Sequence, residues 1–301
     1  MVDSRPAPGA ATPSRRSLAW ARPPAGLPAL WIVGLALAVG IPNLAAAWST
    51  IETMVTQGYA FDWTNFLRAA DRLPAGTLYD FTGTYAFRWS PLAAWLFGII
   101  APIGVLAWRL AHVAVLAFLR DWRLILVTLL SYPFWFDVET GNINAFVAVA
   151  AVGAWRGSRV ATGVYLLLFL LVPRPLAAPL AVWILWNRPE WRWPFLAALL
   201  AEAAAVTAMG LGVEWLGALA AASSELHADL NLAPSAIIGV WWLPVGLAAA
   251  AWLTYRGRLG FASLAASPYW LPYYFLMLLL ELTPPAQADQ RRTQTTAVAS
   301  A

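Results

Sequence analysis

The chain of 301 residues has no cysteine, no lysine and only two histidines, His112 and His227. Without thiols it can form no disulfide, thiolate metal site or cysteine nucleophile, and two histidines are too few for a histidine-based metal cluster. Any metal would need carboxylate ligands, and neither a metal nor a cofactor is expected. All nineteen basic residues are arginine, and replacing lysine along the whole chain reads as compositional bias rather than phosphate recognition. Charge is scarce as well, at 11 % of residues. The pI of 9.7 does not point to nucleic acid, because the arginines are scattered among helix ends.

Apolar residues fill the gap: the hydrophobic fraction is 61 % and the mean hydropathy +0.64. Apolar runs of about fifteen to twenty residues recur between residues 27 and 282, close to the ~20 a helix needs to cross a hydrocarbon core. These runs lack the alternation of barrel strands, and unpaired backbone groups are costly in lipid, so helices are the only spanning element that fits. The expected fold is all-α, a polytopic transmembrane helix bundle of about eight to ten spans with interfacial helices on its outer face.

Residues 1–26, rich in Pro, Ala, Ser and Arg, read as a disordered tail, and Arg5, Arg15, Arg16 and Arg22 assign it to the cytoplasm. Residues 27–283 read as one transmembrane domain, with outer loops at about 49–104 and 214–235, and residues 284–301 as a second disordered tail. A first span is expected over 27–48, although "LAAA" at 44–47 also resembles a signal-peptide cleavage site. Ser90 and Pro91 form an N-cap followed by proline at the first helical position, and Pro102 should stop that helix. Such a helix is too short to cross, so residues 89–104 read as interfacial or re-entrant. With that choice "RDWR" (120–123), "RGSR" (156–159), "NRPEWR" (187–192) and "RGR" (256–258) all fall inside. "DVETGN" (137–142) then becomes an acidic outer loop. Reading 89–104 as a full span would invert the arginine loops that follow.

In "DWTNFLRAADRL", Trp63, Phe66, Leu67, Ala70 and Leu73 share one helical face, opposite Thr64, Asn65, Arg68, Asp71 and Arg72. That pattern predicts a helix lying flat at a membrane surface. Asp62 stands just before it. The residue reads as a helix N-cap, as a carboxylate framed by Phe61 and Trp63 and tuned as a general base, or as both at once.

Five segments in order, "FDWTNFLRAADRLPAGTLYD", "FRWSPLAAWLF", "GNINAFVAVAAVGAW", "VPRPLAAPLAVWIL" and "SPYWLPYYFLMLLL", resemble landmarks of the bacterial polyprenol-phosphate-mannose-dependent mannosyltransferases. These form glycosyltransferase family 87 of the GT-C superfamily. The resemblance implies a GT-C-like plasma-membrane enzyme with a cytoplasmic N-terminus. It would transfer a sugar on the outer face from a polyprenyl-phosphate donor to a lipid or glycan acceptor, with no nucleic acid involved. By the same resemblance Asp62 is the catalytic base, and Arg174 or Arg88 clamps the donor phosphate. Asn142, Trp63 and His227 are candidates for sugar or acceptor contacts, and Asp137 and Glu139 are fallback acids. The chain departs from the pattern with Arg174 where lysine is common and Asn142 where glutamine is common. His112, alone within an apolar run, is expected to be packed and paired inside the bundle.

Two other classes compete. A lipid-linked-sugar transporter would carry charges in mid-span, and an inactive membrane scaffold would be indifferent to loss of Asp62.

Overall fold

The computed structural model describes residues 60–80, 87–172, 175–220 and 231–284. The expected first span over 27–48, both tails, Arg174 and His227 lie outside the described residues. Among those described, all regular structure is helical. In chain order the helices are α1 (Phe61–Arg72), α2 (Pro91–Ile100), α3 (Gly104–Val115), α4 (Trp122–Leu129), α5 (Tyr132–Thr140), α6 (Asn144–Trp155) and α7 (Arg159–Leu171). There follow α8 (Ala178–Asn187), α9 (Arg192–Ala208), α10 (Gly212–Ala220), α11 (Ser235–Ile238), α12 (Trp242–Tyr255), α13 (Leu259–Ala266) and a 3-10 helix, Pro272–Leu280.

The centre of the bundle is α6, whose sequence "NAFVAVAAVGAW" is buried almost all round. Small residues let neighbouring helix backbones approach closely, and Ala-rich α6 supplies them. A Cβ on Gly153 would lie 2.6 Å from the Ala161 Cβ, so only glycine lets α6 and α7 approach so closely.

Among the described residues two helical stretches are long and apolar enough to cross a membrane, Pro91–Leu119 and Ser235–Tyr255. A third candidate is Pro189–Ala208 with Gly212–Ala220, bent by 108°. Asn144–Trp155, Arg159–Leu171 and Pro175–Asn187 are apolar but only 10–17 residues long. The expected helix stop at Pro102 is present: α2 ends at Ile100, and a 3-10 turn over Ala101–Ile103 and Gly104, at φ +75°, join it to α3. Ser90 does cap α2, its side chain accepting from the Leu92 amide, with Pro91 as the first helical residue.

Hydrogen bonds fix which ends of the helices lie together. The Arg156 guanidinium donates to the Leu119 carbonyl, and its Nη2 to Asp121 Oδ2 at 3.2 Å. Arg188 Nη1 donates to the Ala154 carbonyl at 3.0 Å, and Trp155 Nε1 to the Thr283 carbonyl at 3.0 Å. The turns bearing Arg120, Arg156 and Arg188 therefore gather at one end of the molecule with the close of the 3-10 helix. At the far ends of α6 and α7, Ser90 N donates to the Leu171 carbonyl at 3.1 Å, and Trp108 Nε1 to the Gly141 carbonyl at 2.9 Å. So α2 and α3 both begin at the end opposite the arginine turns.

Candidate functional site

Residues distant in sequence meet at that opposite end. α1 buries Trp63, Phe66 and Ala69 and leaves Arg68 and Asp71 exposed, so it is amphipathic, but Leu67, Ala70 and Leu73 of the expected apolar face are only half-buried. The buried face packs onto aromatic side chains of the protein, not flat on a membrane surface as expected. Phe66 stacks on Phe97 with ring centres 4.3 Å apart, and Trp63 stacks on Trp108 at 5.0 Å. Trp108 stacks in turn on Phe146 at 4.9 Å. Trp63 is 3 % exposed, which makes it part of the wall behind the site.

Asp62 is not the N-cap of α1. Ala60 occupies that position with no side-chain capping bond, and Asp62 lies within the first turn. There the positive end of the helix dipole favours its negative charge. Its Oδ2 accepts from Asn142 Nδ2 at 2.6 Å, across eighty residues of chain. The same amide nitrogen also donates to the Tyr273 hydroxyl at 3.2 Å.

Gly141 is what allows this approach. It closes α5 at φ +70°, a left-handed conformation that costs an L side chain about 1–2 kcal/mol. A Cβ there would stand 2.9 Å from the Trp63 Cβ and 3.2 Å from the Ala60 Cβ. The start of α1 thus rests directly on the backbone of Gly141, which brings Asp62 against the next residue, Asn142.

Beneath Asn142 lies a fully buried polar network. The expected outer loop over 137–142 is largely helical, because α5 continues through Thr140. Asp137 is 0 % exposed within it. Its Oδ1 accepts from the Asn144 amide at 3.3 Å and from Asn144 Nδ2 at 3.1 Å, and its Oδ2 accepts from the Ala145 amide at 2.7 Å. Asp137 therefore caps the start of α6, satisfying backbone donors that would otherwise be orphaned. Glu139 is exposed at the end of α5, and its carbonyl accepts from Arg109 Nη2 at 3.2 Å.

Arg88 lies just before α2, and its carbonyl accepts from Trp215 Nε1 at 3.2 Å. Beside it, Tyr79 donates to the Trp89 carbonyl at 2.7 Å. Burial, with a smaller contribution from the charge of Glu202, pushes the Tyr79 phenol well above its usual range and keeps it a donor.

The structure thus joins Asp62 to Asn142, Trp63 lies in the adjoining wall, and Asp137 lies one layer deeper. Arg174 and His227 are outside the described residues. The sequence reading missed Tyr273, one tyrosine of "PYY", whose pattern gives no sign that it reaches Asn142. It also missed Arg109 and Glu202, both 5 % exposed on apolar helices. Among the described residues no group of three or more His, Asp or Glu side chains could hold a metal ion. No family model matches the chain, and no curated protein or solved structure is similar to it.

Proposed function

We propose that the chain is a multi-pass membrane glycosyltransferase that uses Asp62 as its general base. It would move a hexose, mannose by the resemblance, from a polyprenyl-phosphate donor to a lipid or glycan acceptor. Asp62 takes the proton of the acceptor hydroxyl, and that oxygen attacks the anomeric carbon. The bond from carbon to the phosphate oxygen breaks, and polyprenyl phosphate leaves with inversion. A positioned base of this kind contributes ~10²–10⁴ in rate.

The supporting observation is the convergence of Asp62, Asn142 and Tyr273 from three distant segments at the end opposite the arginine turns. Arginine-rich turns mark the cytoplasmic side of a membrane protein, which supports an outer-face Asp62. In this reading the chain sits in the plasma membrane as a GT-C-like bundle of about eight to ten spans, with the shorter apolar helices tilted or paired within it. Arg88 and Arg174 remain the candidate phosphate clamp, and Trp63 acts as wall rather than as a sugar contact.

The test uses purified protein in lipid nanodiscs with a panel of polyprenyl-phosphate hexoses and a membrane-lipid extract as acceptor. One donor should be consumed and its sugar recovered on a lipid, with the rate falling ~10²–10⁴-fold in Asp62→Asn. Equal rates in the variant would remove Asp62 as the base.

One observation favours a second reading, a lipid-linked-sugar transporter. Glu202 lies buried on apolar α9 beside the Ser90 hydroxyl, and its Oε1 has no hydrogen-bond partner among the described residues. Intramembrane carboxylates commonly serve transport. Under that reading Glu202→Gln, rather than Asp62→Asn, abolishes function.

A further inference from the structure

We propose that His112 is a positioning residue for Asp62, acting through Asn142. Its purpose rests on the transferase reading, but its geometry does not.

The side chain of Asn142 has one workable orientation. Its Oδ1 accepts from the Ile143 amide at 2.8 Å and from Asn144 Nδ2 at 3.0 Å. Exchanging the amide oxygen and nitrogen would set an NH2 group against two donors and an oxygen against the Asp62 carboxylate. Nδ2 is therefore the atom that meets Asp62 Oδ2, in a short, charge-assisted contact.

His112 holds the other side of this residue. Its Nε2 lies 2.5 Å from the Asn142 carbonyl, and its Nδ1 lies 2.8 Å from the Trp108 carbonyl. The ring meets a carbonyl oxygen at each nitrogen, and either neutral tautomer donates to one of them. Asp137 Oδ2 stands 3.7 Å from Nε2 as the nearby carboxylate, and both side chains are 0 % exposed. Asp137 also holds Asn144, which holds Asn142, so His112, Asn142, Asn144 and Asp137 form a closed ring of polar contacts. The imidazole itself is held edge-on between Trp108, at 5.3 Å, and Phe146, at 4.7 Å. A ring so fixed leaves Asn142 little freedom, and Asn142 connects it to the Asp62 carboxylate.

Removing the ring nitrogens should let the Asn142 backbone and amide relax and turn the Asp62 carboxylate away from its set direction. A misplacement of about 1 Å at a reacting group costs ~10²-fold in rate.

The readout is infrared difference spectroscopy of the whole protein in lipid nanodiscs. The Asp62 carboxylate stretch is assigned from the spectrum of wild type minus Asp62→Asn. His112→Phe keeps the packed ring and removes both nitrogens; it should shift that band, and His112→Gln, which restores an amide donor, should move it back. A folded His112→Phe variant with an unmoved band overturns the proposal. If His112→Phe does not fold, Asn142→Ala carries the test, and an unmoved band there overturns the proposal equally, because the path runs through that amide. In the donor assay His112→Phe should lose ~10²-fold with partial return in His112→Gln. A shifted band together with wild-type protein that transfers no sugar supports the positioning role and refutes the transferase reading, so the two failures are told apart.

Discussion

Gly141→Ala should be far more damaging than an alanine at another left-handed glycine. Two effects add at this position. At φ +70° an L side chain costs about 1–2 kcal/mol. The new methyl also meets the Trp63 Cβ at 2.9 Å, the Ala60 Cβ at 3.2 Å and the Trp108 Cδ1 at 3.5 Å. The first two are Cβ atoms, carried rigidly by backbone, so no rotamer change relieves the clash; overpacking of this kind costs about 1–3 kcal/mol. The sum is about 2–5 kcal/mol. Gly76 and Gly257 supply controls, with φ of +69° and +70° and nothing within 4 Å of an added Cβ. Alanine there should cost the conformational part alone. In thermal unfolding of nanodisc-embedded protein, each kcal/mol lowers Tm by about 2–4 °C for 150–250 residues, so Gly141→Ala should melt measurably below both controls. Because the methyl pushes the start of α1 off Gly141, the Asp62 carboxylate band should shift as well. A Tm equal to those of the controls would refute the close approach of α1 to Gly141, and with it the packing that makes Asp62 meet Asn142.

Two further outcomes follow from the same geometry. The chain has no cysteine, so single cysteines report topology directly. A membrane-impermeant maleimide added outside intact cells should label Thr77→Cys but not Ser158→Cys; the reverse pattern would invert the orientation. Arg188 is 8 % exposed, and its Nη1 donates to the Ala154 carbonyl and to Thr162 Oγ1. Arg188→Met keeps the apolar stem and removes two bonds from a charged donor, while the Ala154 carbonyl still accepts from the Gly157 amide, so it should destabilise by about 1–3 kcal/mol in thermal unfolding, and no change would show that those bonds carry no stability.

How much of the fold and site is legible in the sequence depends on the range of the forces involved. The amphipathic face of α1 and the Ser90–Pro91 helix start are local patterns, and both are present in the structure. Pro102 reads as a stop because proline cannot continue an α-helix, and α2 does end at Ile100, before a 3-10 turn and Gly104 at positive φ. The stretch from Asp137 to Asn142 looks like a solvated loop because acids, glycine and asparagine sit together there. In the structure Asp137 turns inward to cap α6, a role fixed by amide groups seven and eight residues later. Asp62 stands out by resemblance, but its contact with Asn142 depends on tertiary packing at Gly141. Nothing near residue 62 in sequence encodes that contact.

The most direct measurement of the central claim is a mass-spectrometric comparison of envelope glycans and glycolipids. The source strain, its deletion mutant, and the mutant complemented with wild type or with Asp62→Asn would be analysed together. The account predicts a glycan lacking one hexose in the deletion, restored by the wild type but not by Asp62→Asn at equal membrane abundance. Full restoration by Asp62→Asn would contradict it.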